Sequence, residues 1–384
     1  MQANAKSTSN LKRRLLIFTI YCATAVATAV AQYVPTPLQK LGILFAGDIM
    51  QHQAQLDAAR TVDGNFSFSG NWRHIREVIS LADIAIGNLE TPIGKNGFSG
   101  YPSFCAPDSF LRAAVGAGFD VMLFANNHCL DKGKGTALHT LDLMDSLGIF
   151  HCGVYRNAED RKQRYPLVID RNGVRIAILN YTYGTNGRDI PSPMIVNIID
   201  KETIRRDIMD AKCQNPDAII ACMHWGDEYV SLPPQRIREL ADWLIEQGVD
   251  HIIGNHPHVI QPIELRFNKE RCNYNTVVYS TGNLLSNMSL RRTDGGAIIG
   301  MELTKILNYT RVSSLGYMLT WIAPKKEDGT RDFTIYPAAT TVIEGSHRAK
   351  EKLQLFLNDS RTLLKNYNKG DIKELFTDSV KVTP

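Results

Sequence analysis

Residues 84–92 read IAIGNLETP and residues 121–131 read VMLFANNHCLD. In both stretches a short apolar run ends abruptly in amide, carboxylate or imidazole side chains. An apolar run of four to eight residues bounded by polar or turn residues is typical of a buried strand. The same pattern occurs at three further places, which are GILFAGD at 42–48, AIIACMHWGDE at 218–228 and HIIGNHPH at 251–258.

Segments with helical spacing of apolar residues separate these strands, for example Ser109–Val115 and Thr136–Leu147. Strands that alternate with helices indicate βαβ units, and so an α/β protein with a largely parallel sheet. From about residue 259 the pattern becomes β-rich, which predicts a second sheet or an antiparallel extension of the first. We expect one large domain over residues 41–345, followed by a C-terminal helix and tail over 346–384.

The composition is that of a globular protein, with 44% hydrophobic and 21% charged residues. The formal net charge is +4, and residues 1–31 hold four basic residues and no acidic one. The remainder of the chain is therefore neutral. A basic surface for nucleic acid is not indicated by this charge balance.

Residues 1–31 have the pattern of an export signal. Lys12-Arg13-Arg14 precedes an apolar run from Leu15 to Ala31, which ends in the small-residue sequence Ala29-Val30-Ala31. We predict a signal peptide that is cleaved, or alternatively an N-terminal anchor, followed by a linker over 32–40. The expected location is the periplasm or the cell envelope.

Six cysteines follow this segment, and an exported chain could join them as three disulfides. The sequence contains no CxxC and no dense cysteine framework. We therefore favour buried free thiols.

The polar residues at the strand ends predict one shared site. Ligands of open α/β sheets bind outside the carboxyl ends of the strands, where loops from distant parts of the chain meet. The candidate side chains are Asp48, Glu90, Asn127, His128, His224, His256 and His258. Carboxylate and imidazole donors suit divalent Mn, Fe or Zn, and this number of donors could serve one or two ions that share a carboxylate.

Taken singly, these residues have simpler explanations. Asp48 could be a helix cap or a solvated loop residue, and Asn88 and Asn126 could be turn residues. His224 could be a hydrogen-bonded histidine of the core. His-Pro-His at 256–258 could be no more than a rigid loop. The metal site is the hypothesis that explains all of them together.

Six ordered motifs carry a resemblance to a known family. They are Gly47-Asp48-Ile49-Met50, Asn88-Leu89-Glu90-Thr91-Pro92, Ala125-Asn126-Asn127-His128, His224-Trp225-Gly226, His256-Pro257-His258 and Tyr279-Ser280-Thr281-Gly282-Asn283. In these residues the chain resembles the bacterial CapA family of capsule synthesis, the accessory proteins of poly-γ-glutamate synthesis. That family is similar to the calcineurin-like metallophosphatases.

The resemblance implies a four-layer α/β sandwich with two mixed sheets flanked by helices. It implies that the metal ligands are Asp48, Glu90, Asn127, His224, His256 and His258, with Glu90 as the bridging carboxylate and His128 as the catalytic proton donor. We expect Asn88, Asn126, Glu228 and Asn283 to contact the substrate. Met50 stands where metallophosphatases usually have a ligand histidine, and Glu90 replaces their usual bridging aspartate.

The function predicted by this resemblance is a metal-dependent hydrolase of the cell envelope, acting in the synthesis or export of capsule or poly-γ-glutamate. Two alternatives stay open, a non-catalytic factor for polymer binding or export and a periplasmic phosphodiesterase or nucleotidase. The expected partners are an anionic polymer, or a phosphoester or amide substrate, and membrane-bound synthesis or export proteins. Arg291 and Arg292 could supply a local positive patch for such a polymer.

Overall fold

The computed structural model describes residues 38–323, 329–339 and 347–375. Contacts between residues divide the chain into Met1–Leu38 and Gln39–Pro384, and the account below concerns the second unit. The predicted signal or anchor at 1–31 and linker residues 32–37 lie outside the described residues.

The helices occur mainly in the first two thirds of the chain. They are α1 (Gln53–Ala59), α2 (Arg76–Ser80), α3 (Asp108–Gly116), α4 (Gly133–Ser146), α5 (Ala158–Arg164), α6 (Lys201–Cys213), α7 (Gln235–Gln247) and α8 (His347–Tyr367), with a 3₁₀ turn at Ser69–Trp72.

The strands are more numerous and include several short ones. They are β1 (Gln39–Ile49), β2 (Ile84–Leu89), β3 (Val121–Leu123), β4 (Phe150–Cys152), β5 (Val154–Tyr155), β6 (Leu167–Arg171), β7 (Val174–Thr182), β8 (Ile195–Val196), β9 (Ala218–His224), β10 (His251–Asn255), β11 (Ile263–Asn268), β12 (Asn273–Val278), β13 (Asn283–Leu285), β14 (Gly295–Ile306), β15 (Tyr309–Ile322), β16 (Ile335–Pro337) and β17 (Lys373–Glu374).

The strands form two large mixed sheets. The first has the order β16-β15-β14-β1-β2-β3-β4, in which β1 to β4 are parallel and β14 to β16 are added antiparallel. The second has the order β11-β12-β10-β9-β7-β6, with four parallel central strands and an antiparallel strand at each edge. The predicted α/β class is thus confirmed, and the β-rich stretch after residue 259 supplies both an antiparallel extension and part of a second sheet.

The side chains of β1 alternate between two apolar cores. Leu41, Ile43 and Phe45 belong to the core that also contains the strands of the second sheet, and Leu44 and Ala46 belong to the core beneath α3 and α4. Alternation of this kind follows from the two-residue repeat of a strand. Helices α6 and α7 bury their apolar faces in the core that includes the second sheet, so each sheet carries its own helical layer.

Two short helices, α1 and α5, were not predicted from the sequence. Helix α5 reads AEDRKQR and buries none of its residues, so it has no apolar stripe. It is held by polar interactions instead, since the Asn157 side chain accepts a hydrogen bond from the Asp160 backbone N–H at 2.9 Å and Arg161 pairs with the distant Asp207 at 2.7 Å.

All six cysteines after the N-terminal segment are free thiols. Cys105, Cys129, Cys152 and Cys222 are buried, and Cys213 and Cys272 are exposed. Within the described ranges, we find no helix whose length and hydropathy would let it cross a membrane.

Candidate metal centre

The parallel strands of both sheets end at the same edge of the molecule. Asp48 lies near the end of β1, Glu90 directly follows β2, and Asn127 follows β3. From the second sheet, His224 is the last residue of β9, and His256 and His258 follow β10. These six side chains therefore lie at one edge, and the seventh predicted residue, His128, lies beside them.

Close packing of the backbone behind this edge depends on two glycines. A Cβ on Gly47 would lie 2.0 Å from the Gly282 carbonyl oxygen, and a Cβ on Gly254 would lie 2.0 Å from the Tyr279 carbonyl oxygen. Only glycine permits so close an approach. The segment 279–282 is thereby held against the ends of β1 and β10.

The loop after β10 has an unusual backbone. His256 has a φ of 98° and His258 a φ of 57°, and both values are disfavoured for residues with a Cβ. Such conformations persist where the surrounding structure imposes them, and they are frequent at functional sites. Here they direct two histidines of one short loop towards the same centre.

One group of possible ligands comprises Asp48, Glu90 and His258, whose ligand atoms lie within 4.8 Å of one another. His258 Nδ1 lies 3.1 Å from both Asp48 Oδ2 and Asn283 Oδ1. Since both neighbours are acceptors, this nitrogen must carry the proton. Its Nε2, which lies 3.9 Å from Glu90 Oε1, keeps a free lone pair for a metal.

A second group comprises Glu90, His224 and His256, whose ligand atoms also lie within 4.8 Å of one another. His224 Nε2 lies 2.9 Å from Asn127 Oδ1 and 3.5 Å from Glu90 Oε1. Glu90 belongs to both groups and is therefore placed to bridge two ions. A third group, Glu228 with His256 and His258, includes the exposed Glu228.

Glu90 is fully buried, and neither of its carboxylate oxygens has a hydrogen-bond partner among the residues that the structure describes. Among the described residues no Lys or Arg pairs with Glu90 or Asp48. Burial, and next the charge of Asp48, raises the pKa of Glu90 well above its usual range. A buried carboxylate without a partner costs several kcal/mol unless a proton or a cation neutralises it. These orphaned oxygens, beside neutral imidazoles, fit a divalent cation.

The histidines are suited to bind a cation at neutral pH. Burial lowers the pKa of His224 well below its usual range, and it lowers the pKa of His256 to about 2. Both rings are neutral at pH 7, so no proton has to leave them before a metal binds. The Nδ1 atom of His256 is buried without a hydrogen-bond partner.

His128 lies at the side of the cluster and forms a pair with Asp131. The distance from His128 Nδ1 to Asp131 Oδ2 is 2.7 Å, and the Phe104 backbone N–H donates to the same oxygen at 2.7 Å. This hydrogen bond fixes the tautomer and leaves His128 Nε2 as the nitrogen available to other groups.

The four residues predicted to contact the substrate differ in exposure. Asn88, Asn126 and Asn283 are buried, while Glu228 is exposed. Asn88 donates to Asp48 Oδ1 at 2.8 Å, and Asn126 donates to the Leu89 carbonyl at 2.8 Å. The asparagines thus orient the carboxylates and the loops, and substrate contact by any of the four stays a prediction.

The loop after β7 was missed by the sequence interpretation. The Tyr183 ring lies 4.6 Å from that of His256, and Asn186 Oδ1 accepts a hydrogen bond from Asn127 Nδ2 at 3.2 Å. Arg188 Nε lies 3.7 Å from Asp131 Oδ1. The sequence TYGTNGR at 182–188 also places polar residues after an apolar strand, and this signal could have revealed the loop.

Three other residues discussed from the sequence, Met50, Arg291 and Arg292, have defined surroundings in the structure. Met50 is 1% exposed, within the apolar core. Arg291 forms two hydrogen bonds to Asp359, at 2.6 and 2.7 Å, and Arg292 lies 3.4 Å from the same carboxylate. The suggested arginine patch is therefore partly neutralised by α8.

Fold and site together define an α/β protein with two mixed sheets and a buried carboxylate–histidine cluster of the kind that binds divalent metals. Residues 42–288 match the family described as bacterial capsule synthesis protein PGA_cap. The chain belongs to this family, as its motifs predicted.

Two curated relatives carry related names. The chain is 26% identical over 279 residues to a capsule biosynthesis protein CapA of Bacillus anthracis, covering 69% of this chain and 64% of that protein. It is 28% identical over 310 residues to the PGA biosynthesis protein CapA of Bacillus subtilis (strain 168), covering 77% of this chain and 76% of that protein. The chain thus spans slightly less than two thirds of the first relative.

Among solved structures the chain is similar to the NAD nucleotidase of Haemophilus influenzae, with 13% identity, a TM-score of 0.47 and coverage of 87% of this chain and 57% of that one. It is also similar to the calcineurin-like phosphoesterase YfkN from Bacillus subtilis, with 15% identity and a TM-score of 0.47. The similarity covers 86% of this chain and 100% of that one.

Proposed function

We propose that this protein is a metal-dependent hydrolase of the cell envelope that acts in capsule or poly-γ-glutamate synthesis or export. Its substrate would be an anionic polymer such as poly-γ-glutamate, or a related amide or phosphoester. The names of the two CapA relatives support the biological setting. The export pattern of residues 1–31 supports a periplasmic or envelope location.

One observation carries the chemical part of the proposal. The two oxygens of Glu90 are buried and unpartnered at the point where Asp48, His224 and His258 converge. Asp48, Glu90 and His258 would hold one ion, and Glu90, Asn127, His224 and His256 would hold a second. Mn, Fe and Zn all accept this mixture of oxygen and nitrogen donors.

Bound ions would polarise a substrate oxygen and lower the pKa of a coordinated water. The protein itself would position the reacting groups and supply a proton. Asp131 orients His128, whose doubly protonated imidazolium form would donate its Nε2 proton to the leaving group. Asn88 and Asn283 would keep Asp48 and His258 in place.

The proposal is tested by metal analysis of protein purified without chelator. We expect stoichiometric Mn, Fe or Zn in the wild type and a loss of most of it in Glu90→Gln, which keeps the shape but removes the charge. Glu264→Gln is the matched control, because Glu264 is also buried but pairs with Lys369 at 2.9 Å. Wild-type protein without metal, even after supplementation, would contradict the proposal.

A second function is favoured by Met50, which stands where metallophosphatases usually have a ligand histidine. The group of Asp48, Glu90 and His258 is therefore one ligand short. With that group weakened, the site would recognise polymer without cutting it, and the protein would be a binding or export factor. Turnover of a γ-linked glutamate oligomer by the metal-loaded protein separates the two functions. Turnover of a generic phosphodiester alone would instead favour a phosphodiesterase or nucleotidase.

A further inference from the structure

A cavity of 490 Å³ opens beside His128. Its lining includes Asn127, His128, Asp131, Asn186, Arg188 and Glu228. Its position makes it a candidate binding site for the part of a substrate next to the reacting bond. Of the described residues that line it, Arg188 is the only Lys or Arg.

The Arg188 guanidinium has unused hydrogen-bonding capacity. Its Nη2 donates to Ser103 Oγ at 3.2 Å, and its Nε lies 3.7 Å from Asp131 Oδ1, beyond a hydrogen bond. A guanidinium has five N–H donors, and this side chain is 43% exposed. Several donors are therefore free for a ligand in the cavity.

The loop holds Arg188 in a defined place. The Arg188 backbone N–H donates to the Thr185 carbonyl at 3.0 Å, and Thr185 Oγ1 donates to the Arg188 carbonyl at 2.6 Å. The Asn186 amide accepts from Asn127 and lies 3.5 Å from His128 Nδ1. The loop is thus connected to both the candidate ligand Asn127 and the candidate proton donor His128.

The charges around the cavity favour a singly charged anion over a doubly charged one. One guanidinium faces two acidic side chains, Asp131 and Glu228. A doubly charged phosphoryl group would meet more repulsion from these acids than a singly charged carboxylate would. A carboxylate also matches the planar fork of arginine with two parallel hydrogen bonds.

We propose that Arg188 binds a carboxylate of the substrate, on the residue next to the bond that His128 serves. The site would thereby prefer an acidic oligomer, such as γ-linked glutamate with its free α-carboxylates, over a neutral one. This inference rests on the proposed function for its substrate class. It assigns Arg188 to specificity and to no step of bond cleavage.

The test is calorimetric binding of two synthetic ligands to the full, metal-containing protein. One is a short γ-linked glutamate oligomer, and the other is the same oligomer with its α-carboxylates converted to amides. We expect Arg188→Gln to weaken binding of the acidic oligomer about tenfold, the effect of losing one charge-assisted hydrogen-bonded pair, and to leave the amide oligomer unchanged. Arg188→Lys should give an intermediate loss, since it keeps the charge but not the fork.

The matched control is Arg175→Gln. Arg175 is 41% exposed and lies 3.7 Å from Asp170, much as Arg188 lies from Asp131, but it stands at the opposite end of β7. The Arg175→Gln variant should bind both oligomers with the affinity of the wild type. Equal losses for the two oligomers in Arg188→Gln, or no binding of the acidic oligomer by the wild type, would overturn the assignment.

A phosphate competition experiment distinguishes the two anions. If Arg188→Gln abolished binding of inorganic phosphate but not of the acidic oligomer, the subsite would be phosphoryl-specific and the carboxylate assignment wrong. Mass spectrometry of the oligomer after incubation with wild-type protein reports separately on cleavage. An uncut oligomer contradicts the hydrolase proposal, whereas discrimination between the two oligomers that Arg188→Gln retains in full contradicts the role of Arg188.

Discussion

Glu90 Oε1 lies 3.5 Å from His224 Nε2, yet neither oxygen of Glu90 has a hydrogen-bond partner among the described residues. The two side chains come from different sheets, since Glu90 follows β2 and His224 ends β9. His224 Nε2 is instead hydrogen-bonded to Asn127 Oδ1 at 2.9 Å, so the unsatisfied group of the pair is the carboxylate. A cation beside Glu90 would neutralise it.

This relationship predicts how the pH affects metal-free protein. The pKa of Glu90 is raised in the folded state, so the folded chain keeps a proton that the unfolded chain releases above pH 4.5. The free energy of unfolding of chelated protein should therefore fall as the pH rises from 4.5 through the raised pKa of Glu90, by up to about 1.4 kcal/mol per pH unit. Glu90→Gln should lack this slope in urea unfolding experiments.

His224 and His256 act in the opposite direction, at pH values below 6.5. Their lowered pKa values contribute stability above pH 6.5 that is lost as the pH falls. The comparison of wild type with Glu90→Gln is therefore made above pH 7. Parallel curves for the two proteins would show that Glu90 holds no excess proton.

Removal of the candidate proton donor should affect turnover but not metal content. We expect His128→Ala to lower hydrolysis of a γ-linked glutamate oligomer by about 10²- to 10⁴-fold. His139→Ala is the control, since His139 forms a similar pair with Asp108 at 2.8 Å, away from the cluster. If His128→Ala left polymer production in cells unchanged, the non-catalytic function would be favoured.

Substitution of Gly47 should damage the fold behind the site. The Cβ of Gly47→Ala would collide with the Gly282 carbonyl oxygen, and we expect a loss of about 3 kcal/mol in the free energy of unfolding. Gly135→Ala should be neutral or slightly stabilising, because Gly135 lies in α4 with no atom near its new Cβ. Equal stabilities for the two variants in denaturant titrations would refute the close approach.

The thiols should divide into two classes. In a Cys22→Ser variant of the full chain, a thiol reagent should modify Cys213 and Cys272 rapidly and the other four only after unfolding. Burial also raises the pKa of Cys129 to about 12, which keeps that thiol unreactive. The absence of free thiols in unfolded, non-reduced protein would instead support the three disulfides that the even cysteine count allowed.

The sequence by itself determined the longer buried strands and most of the polar residues at their ends. Buried strands such as β2, β9 and β10 are continuous apolar runs, so the change to Asn, Glu or His at their ends is visible without coordinates. Parallel strands share one carboxyl edge, which made the meeting of Asp48, Glu90 and His224 predictable.

Tertiary structure alone decided three further features. Helix α5 buries no residue and so leaves no periodic pattern. The assignment of β14–β16 to the first sheet depends on long-range pairing that no local pattern encodes. The loop with Tyr183, Asn186 and Arg188 reaches the site because β7 lies beside β9 in the second sheet, and only that pairing places a guanidinium near His128.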